Sequence, residues 1–352
     1  MTLTTSFWAN KRVLITGHSG FKGSWLALWL SKLGAQVTGI SLPPETKPNL
    51  FSLTRLNDLI DSRYIDIRDV EQLAKVVEAT SPDIVFHLAA QALVRASYHH
   101  PLNTFSTNIM GTANLLDSIR GQDAIKVAVL ITTDKVYQNK EWVYPYREND
   151  ALGGHDPYSS SKAASEIVVA SYRDSFLADQ GVAVATARAG NVIGGGDWSE
   201  DRLIPDAVKA WSMNKSLHIR SPFSVRPWQH VLEPLAGYLL LAEKLWEKKE
   251  LAGAYNFGPE TDTTTTVKDV IEQAKKCYGS GKVIFDENNK GPHEAGLLSL
   301  EISKAKTVLG IRPIWSLEET IQHTMDWYLK YSQGIDPEEL CLSEISEFEG
   351  LL

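Results

Sequence analysis

Thr133, Asp134 and Lys135 close an apolar run, and farther along the chain Tyr158 and Lys162 stand four apart. On a helix that spacing puts a phenol and an ammonium on one face. A free phenol titrates near pH ~10. A neighbouring ammonium, together with a nicotinamide cation, stabilises the phenolate and draws that value down. Tyr158 can then remove the proton of a substrate hydroxyl while hydride leaves the same carbon, and Lys162 can also bond the nicotinamide ribose. The hydroxyl, carboxyl and amine at 133–135 imply that a second proton moves after the first. Together the five residues describe a redox site that does more than redox.

The Tyr-x-x-x-Lys spacing arises often by chance, so its weight comes from the elements around it. Asp156 can cap, and Pro157 open, a helix running to about residue 178. Near the N-terminus, RVLIT leads into Gly17-His18-Ser19-Gly20-Phe21-Lys22-Gly23, a strand, a glycine loop and a helix. The glycines permit a tight turn and close backbone approach to a pyrophosphate, which the helix N-terminus then faces. Gly17, His18, Gly20, Phe21 and Gly23 are therefore cofactor-binding candidates. The second strand should end near an acid for the adenosine ribose, yet Ser41-Leu42-Pro43-Pro44 stands there, with no Arg for a 2′-phosphate. The expected cofactor is NAD, held less tightly for want of that acid and for the bulky His18. Asp66 and Ile67, Ala89 and Ala90, Gln91 and Thr132 are further cofactor candidates at strand ends.

Short β-rich runs alternate with helical patterns through the first half, which predicts βαβ units and a parallel sheet. Strands are expected over 12–17, 36–41, near 64–65, and over 83–90, 126–133 and 182–188. Helices are expected over 21–33, 69–79, 103–120 and 157–178. After Arg188 the chain turns Gly-, Pro- and Trp-rich. A helix follows over 231–247, a strand over 254–258, and helices starting at Thr266 and at the Ser316/Glu319 capping box. The expected fold is α/β: a doubly wound parallel Rossmann sheet with a smaller C-terminal α/β substrate lobe. The division is 1–190 for the NAD-binding domain (with 254–258 added to its sheet), 191–332 for the lobe and 333–352 for an acidic surface tail.

The 352 residues are 43% apolar and 22% charged, with a net charge of −8, which argues against a nucleic-acid surface. Cys277 and Cys341 are too few and too far apart for a disulfide framework or zinc site, and no metal is expected. No run approaches the roughly 18 apolar residues of a membrane span, and a cytoplasmic location is expected.

The Tyr158/Lys162 pair with the TGxxGxxG loop resembles the short-chain dehydrogenase/reductase superfamily. The chain length and the lobe after Arg188 resemble its extended, nucleotide-sugar-modifying branch. In that branch a Ser or Thr at the end of the fifth strand binds the hydroxyl being oxidised, and Thr133 matches it. Epimerases follow with a small residue and dehydratases with Asp-Glu, so Asp134-Lys135 resembles the 4,6-dehydratases with Lys in place of the usual Glu. The resemblance implies a lyase: oxidation at C4 acidifies the C5 proton, Asp134 protonates the departing C6 hydroxyl, and hydride returns to C6. Lys135 is either the C5 base or a group that stabilises the enolate.

Gly194-Gly195-Gly196-Asp197-Trp198, Arg226-Pro227-Trp228-Gln229-His230-Val231 and His293-Glu294-Ala295 resemble the cytidine-nucleotide users of that branch. They imply CDP-glucose as substrate and a place in deoxysugar biosynthesis for lipopolysaccharide O antigen. Substrate-binding candidates are Gln91, Arg95 and Ser97 past the fourth strand, Asn191 after the sixth, Arg202 and Arg226 for a pyrophosphate, and His293. The resemblance also implies a homodimer or tetramer through helices 103–120 and 157–178. A 4-epimerase or simple dehydrogenase on the same cofactor site is the alternative, and Asp134-Lys135 discriminates against it.

Overall fold

The structure is a computed structural model and describes residues 3–261, 265–286 and 295–352. Its strands are β1 (Arg12–Thr16), β2 (Gln36–Ser41), β3 (Asp61–Tyr64), β4 (Ile84–His87), β5 (Val127–Ile131), β6 (Ala183–Ala189), β7 (Asn191–Ile193), β8 (Ser216–Ile219), β9 (Trp228–His230), β10 (Gly253–Phe257) and β11 (Lys282–Phe285). Seven of them form one parallel sheet in the order β10-β6-β5-β4-β1-β2-β3. The order reverses at β1, so a crevice opens beyond the carboxyl ends of β1 and β4, where α/β sheets bind ligands.

Every residue of β5 and β6 is buried, as in a parallel sheet covered on both faces. Alternate residues enter different cores. Val13, Ile15, Val127 and Val129 pack on the side of helices Phe21–Lys32 and Leu232–Glu247. Leu14, Ala128 and Leu130 pack on the side of helices Val70–Thr80, Gly111–Ile119 and Pro157–Tyr172.

Three expectations shift. The fourth strand ends at His87 rather than Ala90, because its neighbour β1 stops where the glycine loop begins. Leu88 N–H still reaches Thr16 O, the last rung of that ladder. Helices 103–120 and 157–178 are each interrupted by a π-type turn, at Ser106–Met110 and Arg173–Leu177. The expected surface tail is instead a helix, Pro337–Leu351, capped by Asp336, with Leu340, Cys341, Ile345 and Phe348 buried in the main core. Its apolar positions are few but fall on one side, and the many glutamates between them hid the pattern.

The lobe is built on two small parallel pairs, β8 with β11 and β7 with β9. Capping boxes at Thr266/Asp269 and Ser316/Glu319 start its helices Val267–Tyr278 and Leu317–Ser332. No helix among the described residues is long and apolar enough to cross a membrane.

Candidate active site

A cavity of about 1220 Å³ runs between the carboxyl edge of the sheet and the lobe. Thr132, Thr133, Asp134, Lys135 and Tyr158 form one wall, and Arg95, Asn191, Arg202 and Arg226 line the rest.

Thr133 caps the short turn Asp134–Val136 that follows β5. Its hydroxyl donates to Asp134 Oδ1 at 2.8 Å and accepts from Lys135 N–H at 3.3 Å. Asp134 is 2% exposed and its Oδ2 has no hydrogen-bond partner among the described residues. Burial, the largest influence, raises its pKa above the usual 3.8, against the pull of Lys135, Thr133, Arg226 and Lys22. Burial in that setting favours the protonated carboxyl, the form a general acid needs.

Tyr158 and Lys162 lie in the first turns of helix Pro157–Tyr172, capped by Asp156. The phenol is not near neutrality: burial pushes it up to about 12, and the neighbouring Thr133 hydroxyl opposes that shift. The expectation that Lys162 lowers it is not met by the chain's own groups, because the Lys162 ammonium donates to Ile131 O at 2.9 Å. Burial in turn lowers Lys162 to about 8, with Glu166 acting against it.

A buried ion pair fixes that helix against the strand ends. Arg188 and Glu166 are paired at 2.8 Å with side chains 4% exposed. Glu166 also accepts from Thr132 at 2.5 Å and Thr186 at 2.8 Å. The Thr132 hydroxyl is thus directed into the scaffold rather than toward a ligand.

The glycine loop has the expected form. A Cβ on Gly17 (φ +81) would meet Ala89 N at 2.6 Å, and one on Gly23 would meet Gly17 O at 2.0 Å. These two glycines bring the β1 loop against Ala89 and the helix against the loop. A Cβ on Gly20 would meet nothing nearer than Gly17 O at 3.5 Å, so its outer face is open at the helix N-terminus, where the first N–H groups lack helical acceptors. This cradle fits a dinucleotide pyrophosphate. Ala90 follows Ala89 at the same edge.

His18 does not crowd the loop as expected. Its ring is fully buried against Gly39 and Phe51, and Nε2 meets Ser62 Oγ at 2.7 Å. Burial lowers its pKa to about 4. Ser41, at the place of the missing ribose acid, donates to Ser19 Oγ.

Other candidates are engaged elsewhere. Ile67 is core, packed where a Cβ on Gly111 would sit. Asp66 pairs with Arg68, which holds its carboxyl below the usual range. The Gln91 amide bonds Leu93 and Thr104 and shapes its own loop. Ser97 is fully buried and donates to Val94 O in its own helix, so it is not at hand for substrate. Arg95 is ion-paired with Asp201 and Arg202 with Asp197. One Arg226 Nη donates to Val225 O. His293 lies outside the described residues.

Lys22 belongs to the loop motif, and nothing in that motif gives it a role. It lines the cavity and makes no hydrogen bond or ion pair with the described residues. Burial, then Arg202, lower its pKa to about 7 despite Asp134 and Asp197 nearby. The signal was present: a lysine in the first turn of a helix opposes the helix dipole, and the helix it begins is otherwise buried through Leu30.

Among the described residues no cluster of His, Cys, Asp and Glu could hold a metal. The GDP-mannose 4,6 dehydratase family model matches residues 14–324. A CDP-glucose 4,6-dehydratase from Salmonella typhimurium is 46% identical over 349 residues, covering 97% of each chain. The UDP-glucose 4-epimerase structure from Thermotoga maritima superposes with a TM-score of 0.78 at 24% identity, covering 91% of this chain and 99% of that one. A dTDP-glucose 4,6-dehydratase from Bacillus anthracis gives 0.76 at 22%, covering 93% and 99%. At those identities the two structures speak for the fold, whereas the family match and the 46% relative speak for descent. The chain belongs to the GDP-mannose 4,6 dehydratase family, within the extended short-chain dehydrogenases/reductases.

Proposed function

We propose that this chain is an NAD-dependent 4,6-dehydratase that converts CDP-glucose to CDP-4-keto-6-deoxy-glucose and water. The observation that carries the reading is the buried Asp134, its pKa raised by that burial, hydrogen-bonded to Thr133 in the cavity that also holds Tyr158. A 4-epimerase needs Thr133 and Tyr158 but has no use for an acid at 134. The 46% identical relative that acts on CDP-glucose supports the nucleotide.

Gly17, Gly20 and Gly23 would hold the pyrophosphate of NAD, and Lys162 its nicotinamide ribose. Bound NAD would supply the acceptor for the hydride leaving C4 and the donor for its return at C6. Tyr158 removes the C4 hydroxyl proton, with Thr133 bonding the same oxygen. A positive charge brought in by the ligand must offset the burial that holds the phenol high. Asp134 protonates the C6 hydroxyl as it departs. Lys135, on the same wall, takes the C5 proton and later returns it. Arg226 and Arg202 meet the substrate diphosphate, with Asn191 beside them.

Exposed Leu102, Met110, Ile167 and Phe176 on the Pro101–Ile119 and Pro157–Leu177 segments support a dimer or tetramer through those helices. The 1–190, 191–332 and 333–352 division serves as a working one, with the last segment packed as a helix. A cytoplasmic enzyme supplying deoxysugars for O antigen fits this chemistry.

The test is a screen of CDP-, dTDP-, GDP- and UDP-hexoses with NAD. Water loss from CDP-glucose at the highest kcat/KM is expected, and a preference for another nucleotide would overturn the cytidine assignment. Calorimetry should find NAD bound more weakly than nanomolar, given Ser41 in place of an acid.

A further inference from the structure

The dehydratase reading leaves a proton to be moved. As hydride leaves C4, Tyr158 gains the hydroxyl proton. Asp134 loses a proton to the C6 oxygen, which departs as water. The C5 proton goes to its base and comes back when hydride arrives at C6. After product forms, Tyr158 holds one proton too many and Asp134 one too few. Turnover requires that proton to pass from one to the other.

Exchange through bulk water is hindered, because Tyr158 is 9% exposed, Thr133 7% and Asp134 2%. The Thr133 hydroxyl donates to Asp134 Oδ1 at 2.8 Å, and it lines the same cavity as the Tyr158 phenol, close enough to act on its titration. Because the Thr133 proton is committed to Asp134, its oxygen can only accept from the phenol, which suits transfer from phenol to hydroxyl to carboxylate. Lys135 N–H donates to the same Thr133 oxygen and helps hold it in place. Asp134 Oδ2 is buried and has no hydrogen-bond partner among the described residues, which leaves that oxygen available for the departing group.

We propose that Thr133 is a proton relay that recharges Asp134 from Tyr158 and so couples oxidation at C4 to loss of water at C6. The step balances. Tyr158 gives its proton to Thr133 Oγ1, Thr133 gives its own to Asp134 Oδ1, and Asp134 releases the Oδ2 proton to the C6 oxygen; the carboxyl then turns about Cβ–Cγ, which returns the new proton to the Oδ2 position for the next turnover. One O–H bond breaks for each that forms, and no outside acid is consumed. The inference rests on the dehydratase reading and assigns Thr133 a role beyond bonding the C4 oxygen.

The test compares CDP-glucose with CDP-6-deoxy-6-fluoroglucose in the wild type, Thr133→Val and Thr133→Ser. Fluoride leaves without a proton, so the fluoro sugar bypasses Asp134 while still requiring oxidation at C4. In Thr133→Val both sugars should oxidise more slowly, and CDP-glucose should suffer a further loss of ~10²-fold, the low end for general acid catalysis. Reduced-nicotinamide absorbance should then persist with CDP-glucose alone, and small acids such as formic acid should speed water loss. Thr133→Ser, which keeps the hydroxyl, should restore the wild-type ratio between the two sugars. An equal loss for both sugars in Thr133→Val, without response to added acid, would overturn the relay. It would leave the dehydratase reading intact, which fails only if the wild type forms no 4-keto-6-deoxy sugar.

Discussion

Replacing Asp134 by Asn should abolish most dehydration and remove a pH-dependent cost to the fold. The amide keeps an oxygen for Thr133 to donate to at the Oδ1 position, so the turn should survive, but it has no acid proton to give. General acid catalysis contributes ~10²–10⁴-fold, or about 3–5.5 kcal/mol of barrier at 1.36 kcal/mol per tenfold. Oxidation at C4 should continue, so reduced nicotinamide should build up. For stability the sign follows from burial, which raises the folded-state pKa of Asp134 above its usual 3.8. As pH climbs past that value the unfolded chain releases the proton first, and wild-type stability falls until the folded pKa is passed. Each unit of upward shift is worth ~1.36 kcal/mol. An uncharged Asn does not titrate. It carries a roughly pH-independent cost of ~1–3 kcal/mol for a buried amide N–H2 without an acceptor, so the comparison between two pH values isolates the carboxyl. Urea denaturation at about pH 4 and about pH 8 should show the variant gaining on the wild type at the higher pH. Turnover within ~10-fold of wild type would refute the acid role. A stability difference that does not change with pH would refute the raised pKa.

Three further outcomes follow from the same geometry. Glu166→Ala leaves the Arg188 charge buried without its partner and should cost ~3–5 kcal/mol in chemical denaturation. Phe348→Ala should cost ~3–5 kcal/mol, because the C-terminal helix is part of the core; a loss near zero would contradict its packing. Lys22→Met removes an amine whose folded pKa is lowered to about 7 from 10.5. The unfolded chain keeps that proton longer, so wild-type stability rises from about pH 7 toward 10.5 and the variant's gain should be largest below that window, measurable as a pH-dependent Tm difference.

The sheet was legible because its strands are short apolar runs set between helical patterns, and the glycine loop because Gly17 and Gly23 are positions a side chain cannot share. The Thr133, Asp134 and Tyr158 wall was legible from spacing and strand-end position. The destinations of individual polar side chains were not. Ser97 turned back to its own helix and Gln91 to its own loop because each found a backbone or hydroxyl partner locally, and strand-end position does not reveal such partners. His18 looked like an obstruction in the loop, yet Gly39 leaves room for its ring in the interior. Lys22 was passed over because its meaning lies in what faces it across the cavity, and Asp134 and Arg202 come from distant parts of the chain.

The most direct measurement is the product formed from CDP-glucose and NAD in deuterated water. A 4-keto-6-deoxy sugar, recognised by its absorbance in alkali, should appear with deuterium at C5, because the Lys135 amine carries solvent deuterons beside the proton it takes and can return either. A CDP-hexose that keeps its C6 hydroxyl and gains no deuterium, the outcome of a 4-epimerase, would contradict the account.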